Sequence, residues 1–136
     1  MQVSIYNQQK DLCIDKSSIR ALVKKVLSFL KTSPKEVTLY FVTEEKISQL
    51  HTLYFQDPSP TDCISFPLDG EHLGEIFICP LAAIKYAKRH QKKVMDELHL
   101  YIIHGLLHLL GYDDLEPKQR KLMRKMEKQC MKQIEK

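Results

Sequence analysis

The stretch from His104 to Asp114 reads HGLLHLLGYDD. Two histidines stand four apart in an apolar segment that continues a helix running from about Val94 to Leu110. Gly111 is the residue type that ends such a helix, because it tolerates positive φ and lets the chain reverse. Residues four apart on a helix project from one face, so His104 and His108 can present both imidazoles to one ion. Neutral imidazoles suit zinc or another late first-row metal. A single helix seldom supplies a third usable ligand. The reversal at Gly111 returns Asp113 and Asp114 toward the imidazoles, and two histidines with one carboxylate form a catalytic zinc set with a position left for water. The competing reading is a buried helix whose two histidines bond to backbone or to neighbouring side chains. The Glu of the H-E-x-x-H peptidase pattern is replaced here by Gly105, which disfavours a protease that needs that general base.

The rest of the chain limits the setting. Its 136 residues, 43% of them hydrophobic, fit one domain spanning 1–136 with a real core. No apolar run approaches 18 residues, so no membrane span is expected. The start, MQVSIYNQQKDLCID, has neither a basic nor a long apolar region of the signal-peptide kind, so the expected location is the cytoplasm. Cys13, Cys63, Cys79 and Cys130 are scattered without a CxxC pair, and are expected to be small buried thiols. The net charge of +4 is unevenly placed. Lys118 to Lys136 holds eight basic residues opposed only by Glu127 and Glu135, and Lys85, Lys88, Arg89, Lys92 and Lys93 precede the histidine helix. Each stretch alone is an ordinary solvated helix face. Two of them flanking a metal motif favour an anionic partner such as RNA.

The pattern along the chain predicts β-α-β-α-β-β-α-α-α. QVSIYN alternates as a strand. Ser17 and Ser18 are placed to cap a helix reaching about Leu30. EVTLYFVT is a second strand, and Thr43 starts a helix that carries Ile47, Leu50 and Leu53 inward. QDPSPTD is a loop. CISF is a strand stopped by Pro67, LDGEH a turn and GEIFIC the next strand. Pro80 suits the first turn of the helix through His90, and Pro117 opens a final basic helix. The expected fold class is α+β: a single domain with a small mixed sheet packed with helices and the metal site on a central helix. The pattern does not give the strand order.

Three segments together resemble the YbeY family of bacterial metal-dependent endoribonucleases. HGLLHLLGYDD resembles its H-G-x-L-H-L-x-G-Y-D-H signature, PTDCISFP its P-T-D-V-L-S-F-P segment, and LGEIFICP its L-G-D-I-x-I-x-P segment. The blocks occur in family order between about Leu50 and Asp114. The resemblance implies one zinc ion held by the signature residues, cleavage of single-stranded RNA, maturation of the 16S rRNA 3′ end and a part in ribosome quality control. The implied partners are single-stranded RNA, rRNA and the small ribosomal subunit, with neither DNA nor a membrane among them. By position, His104 and His108 are the first two ligands, and Asp114 stands at the third family histidine. These three are the expected metal-binding and catalytic residues, with Asp113 the alternative third ligand. A carboxylate there lowers the net positive charge of the site by one relative to three imidazoles, so a bound water is acidified less.

A second departure is Phe55, which stands in LHTLYF where the family commonly has arginine. It cannot hold a phosphate as arginine does, but it can stack on a base. Asp62 and Ser65 are candidates for lining the pocket, with Thr61 bonding inside the loop; ordinary turn capping is the competing role. Glu97 lies two turns before His104 on the same helix face, either as an orienting carboxylate or as a surface one. His99 is expected to be structural or solvent-facing, and Tyr112 to pack. Two competing functions remain: an RNA- or ribosome-binding factor with little nuclease activity, and a metallohydrolase acting on another substrate.

Overall fold

The protein is described by a computed structural model covering residues 1–57, 59 and 61–135. The elements are β1 (Gln2–Asn7), α1 (Lys16–Phe29), β2 (Glu36–Phe41), α2 (Glu44–Phe55), β3 (Cys63–Pro67), β4 (His72–Ile78), α3 (Pro80–His90), α4 (Val94–Leu109) and α5 (Pro117–Ile134). This is the expected element order, in a single α+β domain. The sheet runs β1-β2-β4-β3. β1, β2 and β4 are parallel, and β3 returns antiparallel to β4. The parallel pairs require crossovers, which α1 and the α2–β3 segment supply.

α4 is the hub. It packs on β3 and β4 and touches α1, α3 and α5. Leu98, Ile102, Ile103, Leu106 and Leu107 are all fully buried. At about 1.5–3 kcal/mol each, their burial contributes on the order of 10 kcal/mol of gross transfer free energy. That is as large as the net stability of a typical domain. Gly105 lets the helix lie this close to the sheet. A Cβ there would stand 2.6 Å from Ile76 Cγ2 and 3.2 Å from Ser65 Oγ. The opposite sheet face carries a smaller core of Val42, Ile47, Ile64 and Cys79 under α2.

Several boundaries differ from the sequence pattern. Asp15, not Ser17 or Ser18, caps α1, and its carboxylate accepts from the backbone N–H groups of both serines. A carboxylate two positions before Ser17 reaches the free donors of the first turn. Leu53 points outward at 71% exposure, because α2 buries only Ile47 fully. Pro67 lies inside β3, which is an edge strand and can lose a donor on its open side. β4 begins at His72, earlier than GEIFIC suggests. Cys13 is exposed, against the expectation of buried thiols, whereas Cys79 and Cys130 are buried. Of the QDPSPTD loop, Pro58 and Pro60 lie outside the described residues, as does Lys136 of the basic segment. No helix among the described residues is long and apolar enough to cross a membrane.

Gly105→Ala should lower unfolding free energy by about 1–3 kcal/mol, because Ile76 and Ser65 must move; denaturant titration of the purified variant measures it. In thiol titration, Cys13 should react at once with an aromatic disulfide. Burial pushes the Cys130 thiol up to about 11, so Cys130, like the buried Cys79, should react only on unfolding.

Candidate metal centre

His104 and His108 leave α4 on one face, as their spacing requires. Their Nε2 atoms are 3.0 Å apart. After Leu110 the chain reverses at Gly111, whose φ is +99°. The N–H of Gly111 donates to His108 O at 3.0 Å and that of Tyr112 to Leu107 O at 3.0 Å, which satisfies free carbonyls at the helix end. The turn brings Asp114 Oδ2 to 3.6 Å from Nε2 of both histidines. Asp113 does not join them. Its Oδ1 accepts the backbone N–H of Asp114 at 2.7 Å and so fixes the peptide that carries the neighbouring carboxylate.

The three ligand atoms therefore form a triangle with edges of 3.0, 3.6 and 3.6 Å. Three ligands of a tetrahedral ion at about 2.0–2.1 Å stand about 3.3 Å apart, so the triangle fits a small metal ion with little movement. The proton arrangement agrees. His104 Nδ1 donates to Glu127 Oε2 on α5 at 2.5 Å. In the neutral ring this leaves the Nε2 lone pair directed at the cluster.

Burial is the largest single influence on the His104 pKa and lowers it. The hydrogen bond and charge of Glu127, joined by Asp62 and Asp114, outweigh it and raise the pKa above the ordinary 6.5. Three carboxylates around one imidazole make this a site that favours positive charge, whether proton or metal.

The cluster opens into a cleft of about 410 Å³, lined by His51, Phe55, Thr61, Asp62 and Ser65 among others. Ser65 Oγ donates to Gly105 O at 3.1 Å, joining β3 to the ligand helix. Asp62 Oδ1 accepts the N–H of Cys63 at 2.7 Å and the Thr61 hydroxyl at 3.4 Å. Both the lining role and the capping role expected of this segment are thus present. Phe55 is 56% exposed on the cleft wall. It leans against His51 with ring centroids 5.3 Å apart, and His51 Nδ1 lies 2.9 Å from Ser59 O.

Glu97 is neither a surface group nor the partner of His104. It is buried one helical turn before Tyr101, whose pKa is raised first by burial and then by the charge of Glu97. His99 is half-buried and outside the cluster, and Tyr112 packs against the main core. Among the described residues, His104, His108 and Asp114 are the one group of three or more His, Cys, Asp or Glu side chains able to hold a metal ion.

Residues 4–135 match the family described as Endoribonuclease YbeY. The chain belongs to that family. A YbeY relative from Protochlamydia amoebophila, named Endoribonuclease YbeY, is 42% identical over 98% of this chain and 93% of its own length. Another of that name, from Chlamydia caviae, is 40% identical over 96% of this chain and 89% of its own. The solution structure of a Thermotoga maritima protein superposes with a TM-score of 0.70 at 28% identity, covering 98% of this chain and 89% of the other.

Sequence reasoning passed over Glu127 of this YbeY chain, counting it only as an opposing charge. The signal was available: Glu127 follows Met123 by four and precedes Cys130 by three, and both of those are buried. It is the one acid on the inward stripe of a basic helix.

Glu127→Gln should weaken zinc binding about 10- to 100-fold at pH 8 by removing the acceptor that orients His104. Protons compete with a metal for the imidazole, so the zinc affinity of the unaltered protein should begin to decline once pH falls below the raised His104 pKa. In Glu127→Gln that decline should begin at lower pH, from a weaker plateau. Competition titrations with a chromogenic chelator across pH measure both effects.

Proposed function

We propose that residues 1–136 act as one metal-dependent endoribonuclease domain that cleaves single-stranded RNA, with His104, His108 and Asp114 as the ligands of a single zinc ion and the core of the catalytic site. The observation that carries this reading is the ligand triangle, with the lone pair of His104 turned inward by Glu127. The family name of its relatives, Endoribonuclease YbeY, supports RNA as substrate. Within that reading the protein matures the 3′ end of 16S rRNA, serves ribosome quality control on the small subunit, and works in the cytoplasm.

A zinc ion in this site would supply Lewis acidity toward a phosphate oxygen and a water that is nucleophilic at neutral pH. The protein groups have separate tasks. Glu127 fixes the tautomer and ring direction of His104. Asp113 holds the backbone at Asp114, so the third carboxylate stays aimed at the histidines. Asp62 and Ser65 shape the wall on which the strand must lie. Phe55 offers an aromatic face on the cleft wall, at the position where the resemblance leads one to expect arginine, so it can stack a base but cannot neutralise a phosphate. That substitution favours the second reading, an RNA- or ribosome-binding factor with weak chemistry.

Cleavage of a labelled single-stranded RNA separates the two readings. The zinc-loaded protein should cut it, a chelator should abolish cutting, and added zinc should restore it. His108→Ala should lose at least about 10²-fold in rate together with its metal. RNA binding without any metal-dependent cutting would instead assign the protein as a binding factor.

A further inference from the structure

The metal cleft does not end at the histidines. It shares Asp62 and His104 with a small cavity of about 210 Å³ that also touches Glu97, Leu100 and Glu127. Those last three residues in turn line a groove of about 630 Å³ between the α3–α4 turn and α5. The three cavities are therefore neighbours, following one another from the ligand cluster to α5 through shared walls. Five cations line the groove: Lys92 and Lys93 from the turn, and Arg124, Lys128 and Lys132 from α5.

The two basic segments of the sequence thus meet on one surface. All five cations are exposed, and none has an ion-pair partner within 4 Å among the described residues. Three acids also line the groove: Glu127 is engaged by His104, Glu97 is buried, and Asp96 is exposed, so five cations against three carboxylates leave a net charge of +2. Leu100 and Met131, both partly buried, add apolar surface between the charges. Unpaired cations held side by side repel one another, and a polyanion relieves that repulsion while releasing its own counterions.

The geometry points to this groove as the binding track for the sugar-phosphate backbone of a single-stranded RNA whose scissile phosphate lies at the metal cluster. The inference rests on the endoribonuclease reading and adds to it the surface that holds the substrate beyond the cut. The acidic centre contributes little attraction for a phosphate before metal binds, so affinity comes from the groove and chemistry from the cleft. The track follows backbone charge and carries no base code, so it predicts strong salt dependence with weak sequence preference.

The test uses the full chain with zinc and a fluorescein-labelled unstructured RNA. The triple variant K92Q/K128Q/K132Q is compared with K24Q/K31Q/K35Q, which removes the same charge from three lysines around a separate cavity near the end of α1. Each phosphate contact on a single strand contributes about 0.7 to the slope of log K against log salt. The groove variant should therefore have a slope shallower by about 2 and an affinity about 100-fold weaker at 0.1 M salt. In cleavage the loss should fall on KM rather than on kcat. The control variant should stay within about threefold of the unaltered protein. Unchanged thermal melting of both variants excludes a folding defect.

Equal losses in the two variants would overturn the inference, since net charge alone would then explain binding. So would a groove variant that keeps RNA affinity, and more so if it loses affinity for polyglutamate, which would assign the groove to an acidic polypeptide. Either result with an unaltered protein that still cuts RNA leaves the endoribonuclease reading standing. An unaltered protein that neither binds nor cuts RNA brings down that reading first.

Discussion

The close approach of α4 to the sheet at Gly105 is the contact on which the rest depends. With hydrogen as its side chain, residue 105 lets the helix settle against Ile76 and Ser65. Its neighbours Ile102, Ile103, Leu106 and Leu107 are then drawn out of water completely. A helix seated so deeply has little freedom to roll. His104 and His108 leave it from the one stripe that is not packed, and their spacing is inherited from the rigid turn geometry of the helix. Ser65 ties the same point to β3 by donating to the carbonyl of Gly105. The edge strand that forms the cleft wall and the helix that carries the imidazoles are thereby held in one frame, which is what a ligand set accurate to a fraction of an ångström requires.

Charge is distributed in two layers around that frame. Close to the imidazoles stand Asp62, Asp114 and Glu127, and their combined field raises the affinity of His104 for positive charge. Farther out, lysines and arginines from the α3–α4 turn and α5 line an adjoining groove. An acidic centre alone would repel a phosphodiester, and a basic surface alone would hold it without chemistry. A metal ion held by His104, His108 and Asp114 would reconcile the two, because it would turn an acidic cluster into a point of phosphate attraction. α5 serves both layers. Its inward stripe contributes Glu127 to the histidine, and its outward side presents the cations.

Much of this was legible in the residues. The i, i+4 spacing of His104 and His108, the glycine that ends their helix and the carboxylates just beyond gave the ligand candidates with their direction. The alternation in QVSIYN and the β-branched run in EVTLYF gave the strands. Errors came where two residues compete for one local task. Asp15 and Ser17 are both good caps, and only the path of the chain into α1 decides that the carboxylate reaches the free donors. Leu53 fits the helical stripe of α2 but is turned to solvent, and it is Tyr54 beside it that meets Phe66 of the sheet. Glu97 was placed correctly on the face of His104, yet it is buried and His104 pairs with Glu127 instead. Glu127 was hidden because its partner is 23 residues away and on another helix.

The sequence by itself determined the elements, the family and the residue types able to bind a metal, since these follow from local periodicity, turn chemistry and short motifs. Tertiary structure decided the strand order β1-β2-β4-β3, which depends on how crossovers pack and not on any one segment. It placed Asp114, not Asp113, beside the histidines, with the Asp113 carboxylate accepting the Asp114 N–H instead. It also brought together Glu127 with His104, and Lys92 with Lys128, pairs that no spacing rule connects. Such long-range meetings are set by the packing of α5 against α4, and that packing is a property of the whole core.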